Sequence, residues 1–406
     1  MNLIDVLTIL ITLAALFSYL NYRFFRLPTT IGLMACGLTM SLGLIALGPF
    51  DTGIKTAAAG IIGSIDFNEL LLHGMLSFLL FAGALHININ DLLKQKWVIS
   101  SLATAGTILS TFIVGALAWL VLNWIGFSIP FLYCLLFGAL ISPTDPIAVL
   151  GILKATSTPD TLKAKITGES LFNDGIGVVL FIVLLEISTG YGELSFWHVF
   201  QVFAQEAFGG IAFGFCIGWI AYRMLKKVDN YQVEILITLA LVMGGYALAN
   251  ALHISGPLAI VVAGLLIGNH GRSFAMSEET REHLDMFWEL MDEIMNAVLF
   301  VLIGLEIVIL TLTAEYLLAG ALMIPIVLLA RLTSVGVPVA ILKFRRRFSP
   351  NAVKILTWGG LRGGISVALA LSLPKSPYRD VILATTYLIV VFSILVQGLT
   401  IRKLVR

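Results

Sequence analysis

The chain has 406 residues, 59% of them hydrophobic and 12% charged, and its formal net charge is +1. Soluble domains are about 45–50% apolar and about 25% charged, so too few charged side chains are present to cover a soluble surface. That excludes a soluble enzyme, a disordered regulator and, with no basic footprint, a nucleic-acid binder; a polytopic membrane protein remains.

A helix needs about 20 apolar residues to cross a bilayer. In chain order, spans are predicted at 3–24, 29–48, 67–87, 97–124, 131–153, 160–189, 199–226, 231–252, 255–270, 280–309, 315–343, 350–374 and 378–402, thirteen in all. The ninth is short, and several others run long enough to tilt. The first carries Asp5 and is followed by Arg23 and Arg26, so a retained helix is expected rather than a cleaved signal peptide. The expected fold class is all-α and polytopic. Cys36, Cys134 and Cys216 sit in apolar runs without ligand spacing and are expected to be small core residues.

Basic residues orient the chain. Of the 25 Lys and Arg, 20 fall in loops on one side, from Arg23 and Arg26 through to Arg402, Lys403 and Arg406. Lys55, Lys375 and Arg379 fall on the other side, and Arg331 and Arg362 lie inside spans. The basic side is predicted to be cytoplasmic, in a plasma (inner) membrane. The N-terminus is then outside and the C-terminus inside.

Two spans are interrupted. Span five contains Ser142-Pro-Thr-Asp-Pro146, and two prolines around a Thr-Asp pair cannot hold a regular helix. Span twelve contains Trp358-Gly-Gly-Leu-Arg-Gly-Gly364, whose glycines weaken it at its midpoint. In lipid, irregular backbone survives only where protein or a polar cavity surrounds it. The two breaks lie seven spans apart, so the interrupted segments run in opposite directions. Leu80-Phe81 of span three also matches Leu299-Phe300 of span ten, and Gly37-Leu38 of span two matches Gly264-Leu265 of span nine. The expectation is two inverted six-helix repeats, spans 1–6 and 8–13, joined by span 7, with crossed discontinuous helices. Such paired breaks point to the binding site of a secondary transporter.

Five ionisable groups fall near mid-span: Asp145, Glu169, Asp174, Arg331 and Arg362. Each costs at least about 2.5–3.5 kcal/mol there unless it faces a partner or water. Three carboxylates against two guanidiniums leave one negative charge, which a monovalent cation or a proton neutralises. A site that crosses only when it holds one or the other makes a cation/proton exchanger. Na⁺ prefers oxygen ligands, and Asp145, Asp174, Ser170 and Thr144 supply carboxylates and hydroxyls. Ser170 and Asp174 share a helix face, as do Glu169 and Asn173. Glu169 and the arginines fit a structural ion network, with Arg331 either bracing a carboxylate or lining the cytoplasmic vestibule. Glu186, Glu234 and Glu306 lie near span ends and are expected to be interfacial. The six histidines show no ligand spacing. The acidic run Glu278–Glu293 is expected to form an amphipathic cytoplasmic start to span ten.

Ser142-Pro-Thr-Asp-Pro146, Gly168-Glu-Ser-Leu-Phe-Asn-Asp-Gly175, Gly359-Gly-Leu-Arg-Gly-Gly-Ile-Ser-Val-Ala368 and Phe392-Ser-Ile-Leu-Val-Gln-Gly-Leu-Thr400 resemble, in order, the cation/proton antiporter-1 family of NhaP-type antiporters and animal sodium/hydrogen exchangers. The resemblance implies a homodimer. Its dimerisation domain would be 1–96 with the second part of 199–314, after a linker helix, and its ion-transport core 97–198 with 315–406. It implies Asp174 as the main carrier of cation and proton, with Asp145, Ser170 and the Thr144 carbonyl as further ligands. It also implies Asn173 bracing the crossed helices, Glu169 paired with Arg362, and electroneutral exchange. A Glu common in span three of relatives is Ala82 here. The expected activity is Na⁺ (or Li⁺) exchange for H⁺, without a cofactor and without enzymatic chemistry. K⁺/H⁺ exchange is the alternative. A sodium-coupled organic-anion symporter fits two core aspartates poorly. An intramembrane aspartyl protease would need a Gly-x-Gly-Asp motif.

Overall fold

The computed structural model of the chain describes residues 3–47, 52–63, 65–146, 149–150, 160–189, 196–272, 275–344, 348 and 351–405. Among these the regular structure is helical, apart from one isolated antiparallel bridge between Asp145 and Leu361. In chain order the helices are α1 (Leu3–Leu20), α2 (Thr29–Leu47), α3 (Thr52–Gly63), α4 (Leu76–Leu85), α5 (Ile89–Lys94), α6 (Lys96–Ser101), α7 (Thr107–Trp124), α8 (Phe131–Ile141) and α9 (Asp160–Thr189). They continue with α10 (Phe196–Leu225), α11 (Tyr231–Ala251), α12 (Gly256–Leu266), α13 (Glu278–Glu306), α14 (Ala314–Leu342), α15 (Ala352–Trp358), α16 (Gly364–Leu371), α17 (Pro377–Phe392) and α18 (Gly398–Val405). π-helical turns precede α4 and α7, follow α1 and α12, and join α17 to α18.

The chain is a multi-pass membrane protein: among the described residues, eight helical stretches are long and apolar enough to cross a bilayer. Three shorter apolar helices, Glu69–Leu85, Phe131–Ile141 and Gly256–Gly271, accompany them. Residues 147, 148 and 151–153 of predicted span five lie outside the described residues. Helix α3 is an addition, lying between predicted spans two and three.

Local sequence sets the helix starts. A first turn leaves N–H groups without partners, and a short polar side chain just before it accepts from them. Asn230 accepts from the Val233 amide, Ser255 from Leu258, Ser277 from Thr280 and Thr313 from Tyr316. Ser277 thereby starts α13 at the acidic run, as the sequence predicts. Near that end Asp285 pairs with Arg272 and lies 3.9 Å from His86.

Two groups of helices share apolar interiors. One cluster joins α4, α11, α12 and α13 around Phe81 and Trp288, whose rings are 4.6 Å apart. Another joins α7, α8, α9, α14, α16 and α17. Helix α2 lies along α13, and α12 along α4. Cys134 is buried and Cys36 is half-buried, but Cys216 is exposed on α10, so the expectation of three core cysteines holds for Cys134 alone. Glu234 and Glu306 are also corrected. Both are buried, not interfacial, because neighbouring helices cover the ends of α11 and α13.

Candidate functional site

Helix α8 runs into Ser142-Pro143 and stops, since proline cannot donate to the helix ladder and disfavours continuation of the helix. The Ser142 hydroxyl meets the Gly138 carbonyl at 2.7 Å and the Ser110 hydroxyl at 2.9 Å. Helix α15 stops at Trp358, and residues 359–363 are non-helical until α16 begins at Gly364. The two breaks cross. The Asp145 amide donates to the Leu361 carbonyl at 2.8 Å, so each non-helical strand supplies part of what the other lacks. This satisfies backbone that lipid could not.

The C-terminal end of each half-helix that runs into a break leaves carbonyls without partners and concentrates partial negative charge. The two intramembrane arginines meet these ends. Arg362 Nη1 donates to the Ser142 carbonyl at 2.6 Å and the Pro143 carbonyl at 2.8 Å, at the end of α8. Arg331 Nε and Nη2 donate to the Leu356 carbonyl, in the last turn of α15, at 3.3 and 3.2 Å. Arg331 Nη1 also reaches Glu169 Oε1 at 2.5 Å, an ion pair with side chains 7% and 1% exposed. The partner of Glu169 is therefore Arg331. The pairing with Arg362 expected from the family resemblance is not made, because that guanidinium is turned onto the carbonyls of the opposite break. Two glycines are required by these contacts. A Cβ at Gly360 would meet the Arg331 guanidinium, and one at Gly363 would meet the Asp145 carboxylate.

Helix α9 brings the rest. Glu169, Ser170, Asn173 and Asp174 are all buried on it. Asn173 Oδ1 accepts from the Thr144 amide at 3.2 Å, and its Nδ2 donates to Thr144 Oγ1 at 2.9 Å. Thr144 Oγ1 and Ser170 Oγ are 2.9 Å apart. One carboxamide thus holds the break of span five against α9. Asp145 is half-buried beside the crossing, and Asp174 lies close enough for the two carboxylates to repel. The structure therefore gathers Asp145, Thr144, Ser170, Asn173 and Asp174 at one crossing. Glu169 and Arg331 form a neutral pair beside it, and Arg362 remains as the compensating cation.

Chemically, this is an oxygen-rich pocket with one negative charge in excess. Two carboxylates and two hydroxyls are donors suited to a hard monovalent cation, and a carboxylate can take a proton instead. Sequence reasoning did not assign a role to Ser393, Gln397 and Thr400. The motif that contains them was visible, but its contacts with the break depend on a π-turn that spacing alone does not reveal.

Crossed broken helices with buried carboxylates at their junction define a membrane carrier for small cations. The chain belongs to the sodium/hydrogen exchanger family: the family model described as "Sodium/hydrogen exchanger, transmembrane" matches residues 10–406. It is 51% identical over 418 residues to the Na(+)/H(+) antiporter NhaP of Pseudomonas aeruginosa, covering 100% of this chain and 96% of that protein. It is 35% identical over 386 residues to the Na(+)/H(+) antiporter NhaH of Halobacillus aidingensis, covering 93% of this chain and 91% of that one. Among solved structures, the sodium proton antiporter MjNhaP1 of Methanocaldococcus jannaschii at pH 8 has the same fold. Its TM-score is 0.78 at 21% identity, over 99% of this chain and 97% of that one.

Proposed function

We propose that the protein exchanges Na⁺ (or Li⁺) for H⁺ across the membrane by alternating access, one for one, with the two ions competing for Asp174. The observation that carries this is the charge balance at the crossing. With Glu169 neutralised by Arg331, the formal charges of Asp145, Asp174 and Arg362 sum to one negative, and that excess is cancelled by either ion. Asp174 and Asp145 would supply carboxylate ligands, and Ser170 and Thr144 hydroxyl or carbonyl ligands. The named activities of the relatives support this reading and favour it over K⁺/H⁺ exchange.

The packing supports thirteen spans in two inverted repeats. If spans 1–6 map onto 8–13, the contact of span two with span ten maps onto that of span nine with span three. Gly37 of α2 does pack on Gly304 of α13, and Gly264 of α12 on Ala84 of α4. The crossing of spans five and twelve maps onto itself, as an antiparallel Asp145–Leu361 bridge would require. The family resemblance supports a division into a dimerisation domain (1–96 and the later part of 199–314) and a transport core (97–198 and 315–406). The family resemblance supports a homodimer, and the basic-residue asymmetry supports an outside N-terminus and a cytoplasmic C-terminus in the inner membrane.

Proteoliposomes test the function. An imposed Na⁺ gradient should drive opposite H⁺ movement, with Li⁺ but not K⁺ substituting. Moving one net charge across 100 mV is worth about 2.3 kcal/mol, so a one-for-one exchanger reaches the same end point at any clamped potential. An end point that moves with potential refutes that stoichiometry. Absent Na⁺-driven flux refutes the function.

A further inference from the structure

The helix α17–α18 touches the break of span twelve at both of its edges, through the π-turn Ser393–Gln397. Ser393 Oγ accepts from the Arg362 amide at 2.9 Å and donates to Gln397 Oε1 at 2.8 Å. Gln397 Nε2 donates to the Trp358 carbonyl, the last of α15, at 3.0 Å. The Trp358 indole in turn donates to Thr400 Oγ1 at 2.9 Å. Ser393, Gln397 and Arg362 are all buried, where an unmade hydrogen bond is costly. One short relay therefore satisfies the final carbonyl before the break and the amide in its middle. π-turns of this kind occur often at functional sites, because the extra residue re-aims side chains that an α-helix would direct elsewhere.

The position of the Arg362 amide matters beyond the break itself. The peptide between Leu361 and Arg362 donates its N–H to Ser393 and uses its C=O to accept from the Asp145 amide. A single peptide plane thus links Ser393 to the backbone of Asp145. The same residue sends its guanidinium to the Ser142 and Pro143 carbonyls, one and two residues before Thr144.

We propose that Ser393 and Gln397 are positioning residues for the cation site: through the 361–362 peptide they fix where Asp145 and Thr144 sit, without touching the ion. The proposal rests on the Na⁺/H⁺ reading for its kinetic consequence but not for its structural one. Removing the Ser393 hydroxyl orphans a buried amide, the kind of loss that shifts a local equilibrium by about fivefold to thirtyfold.

Two readouts on the full-length protein separate the consequences. Hydrogen exchange of segments 142–146 and 359–363 should accelerate together in Ser393→Ala, and return to wild-type rates in Ser393→Thr. In proteoliposomes, Ser393→Ala should raise the Na⁺ KM about fivefold or more with the maximal rate little changed. Gln397→Ala should move KM the same way. Thr400→Val, which loses the indole contact and the hydroxyl's bonds to the Val396 and Gln397 carbonyls but leaves the Ser393 and Gln397 side chains in place, should lower thermal stability and leave KM alone. Unchanged exchange rates in both segments for Ser393→Ala overturn the proposal. So does faster exchange with an unaltered KM, which would reduce the relay to a structural brace. Faster exchange in a protein whose wild type shows no Na⁺-driven flux supports the relay and instead refutes the transport reading.

Discussion

The choice of Arg331 as the partner of Glu169 can be tested by a double-mutant cycle. Arg331→Gln removes the cation that forms an ion pair with Glu169, whose side chain is 1% exposed. It also strips the Leu356 carbonyl of the guanidinium that donates to it twice. Breaking a buried pair from one side costs about 3–5 kcal/mol, because the remaining charge cannot be hydrated. Glu169→Gln should cost somewhat less, since Arg331 keeps its carbonyl acceptor. The double variant replaces two charges by two amides that can still bond each other. It should therefore be more stable than the sum of the singles by about 2–3 kcal/mol, the upper range for directly contacting residues. Chemical unfolding in detergent, followed by tryptophan fluorescence, measures each corner. The parallel cycle with Arg362→Gln should couple to Glu169 more weakly than the Arg331 cycle, because Arg362 Nη1 donates to the Ser142 and Pro143 carbonyls while Arg331 Nη1 donates to Glu169 itself. Stronger coupling to Arg362 than to Arg331 would refute the assignment.

Asn173→Ala should destabilise the protein by about 1–3 kcal/mol by orphaning the buried Thr144 amide, and should weaken Na⁺ affinity in the same exchange assay. Gly363→Ala leaves an extended backbone that any residue adopts, so its whole effect comes from the methyl against the Asp145 carboxylate. About 1–3 kcal/mol of overpacking should appear as a raised Na⁺ KM while the protein remains folded. Trp288→Phe removes the bond from Nε1 to Thr238 Oγ1 at 3.1 Å and leaves a cavity in the cluster around Phe81. A lowered melting temperature with unchanged Na⁺ KM is expected, since the lost hydrogen bond joins α13 to α11 and touches none of the residues at the crossing.

Much of the site could be read from residue types alone. Prolines at 143 and 146 and glycines at 359, 360, 363 and 364 announce broken helices, since backbone chemistry forbids or weakens the helix there whatever the surroundings. Asp174 and Asp145 were legible because an ionised group at mid-membrane is too costly to be incidental. Partner choice was not legible. Glu169 has two arginines within the same crossing, and which one it meets depends on which carbonyls each guanidinium caps, a property of the crossed geometry. The burial of Glu234 and Glu306 was hidden for a similar reason: position along a helix gives depth, but only packing tells which face is covered. Ser393 and Gln397 lay in an apolar stretch where two polar residues carry no visible cost, and only the π-turn shows what they hold.

The central claim is that Na⁺ and H⁺ compete for one carboxylate, Asp174. The most direct measurement is the Na⁺ KM for exchange in proteoliposomes as a function of pH, in the wild type and in Asp174→Asn. Competition for a single site predicts that the wild-type KM rises as pH falls, by up to about tenfold per unit, with the maximal rate constant. The Asn variant should keep its fold and show no Na⁺-driven H⁺ flux. A pH-independent KM in the wild type, or residual exchange in Asp174→Asn, would contradict the account.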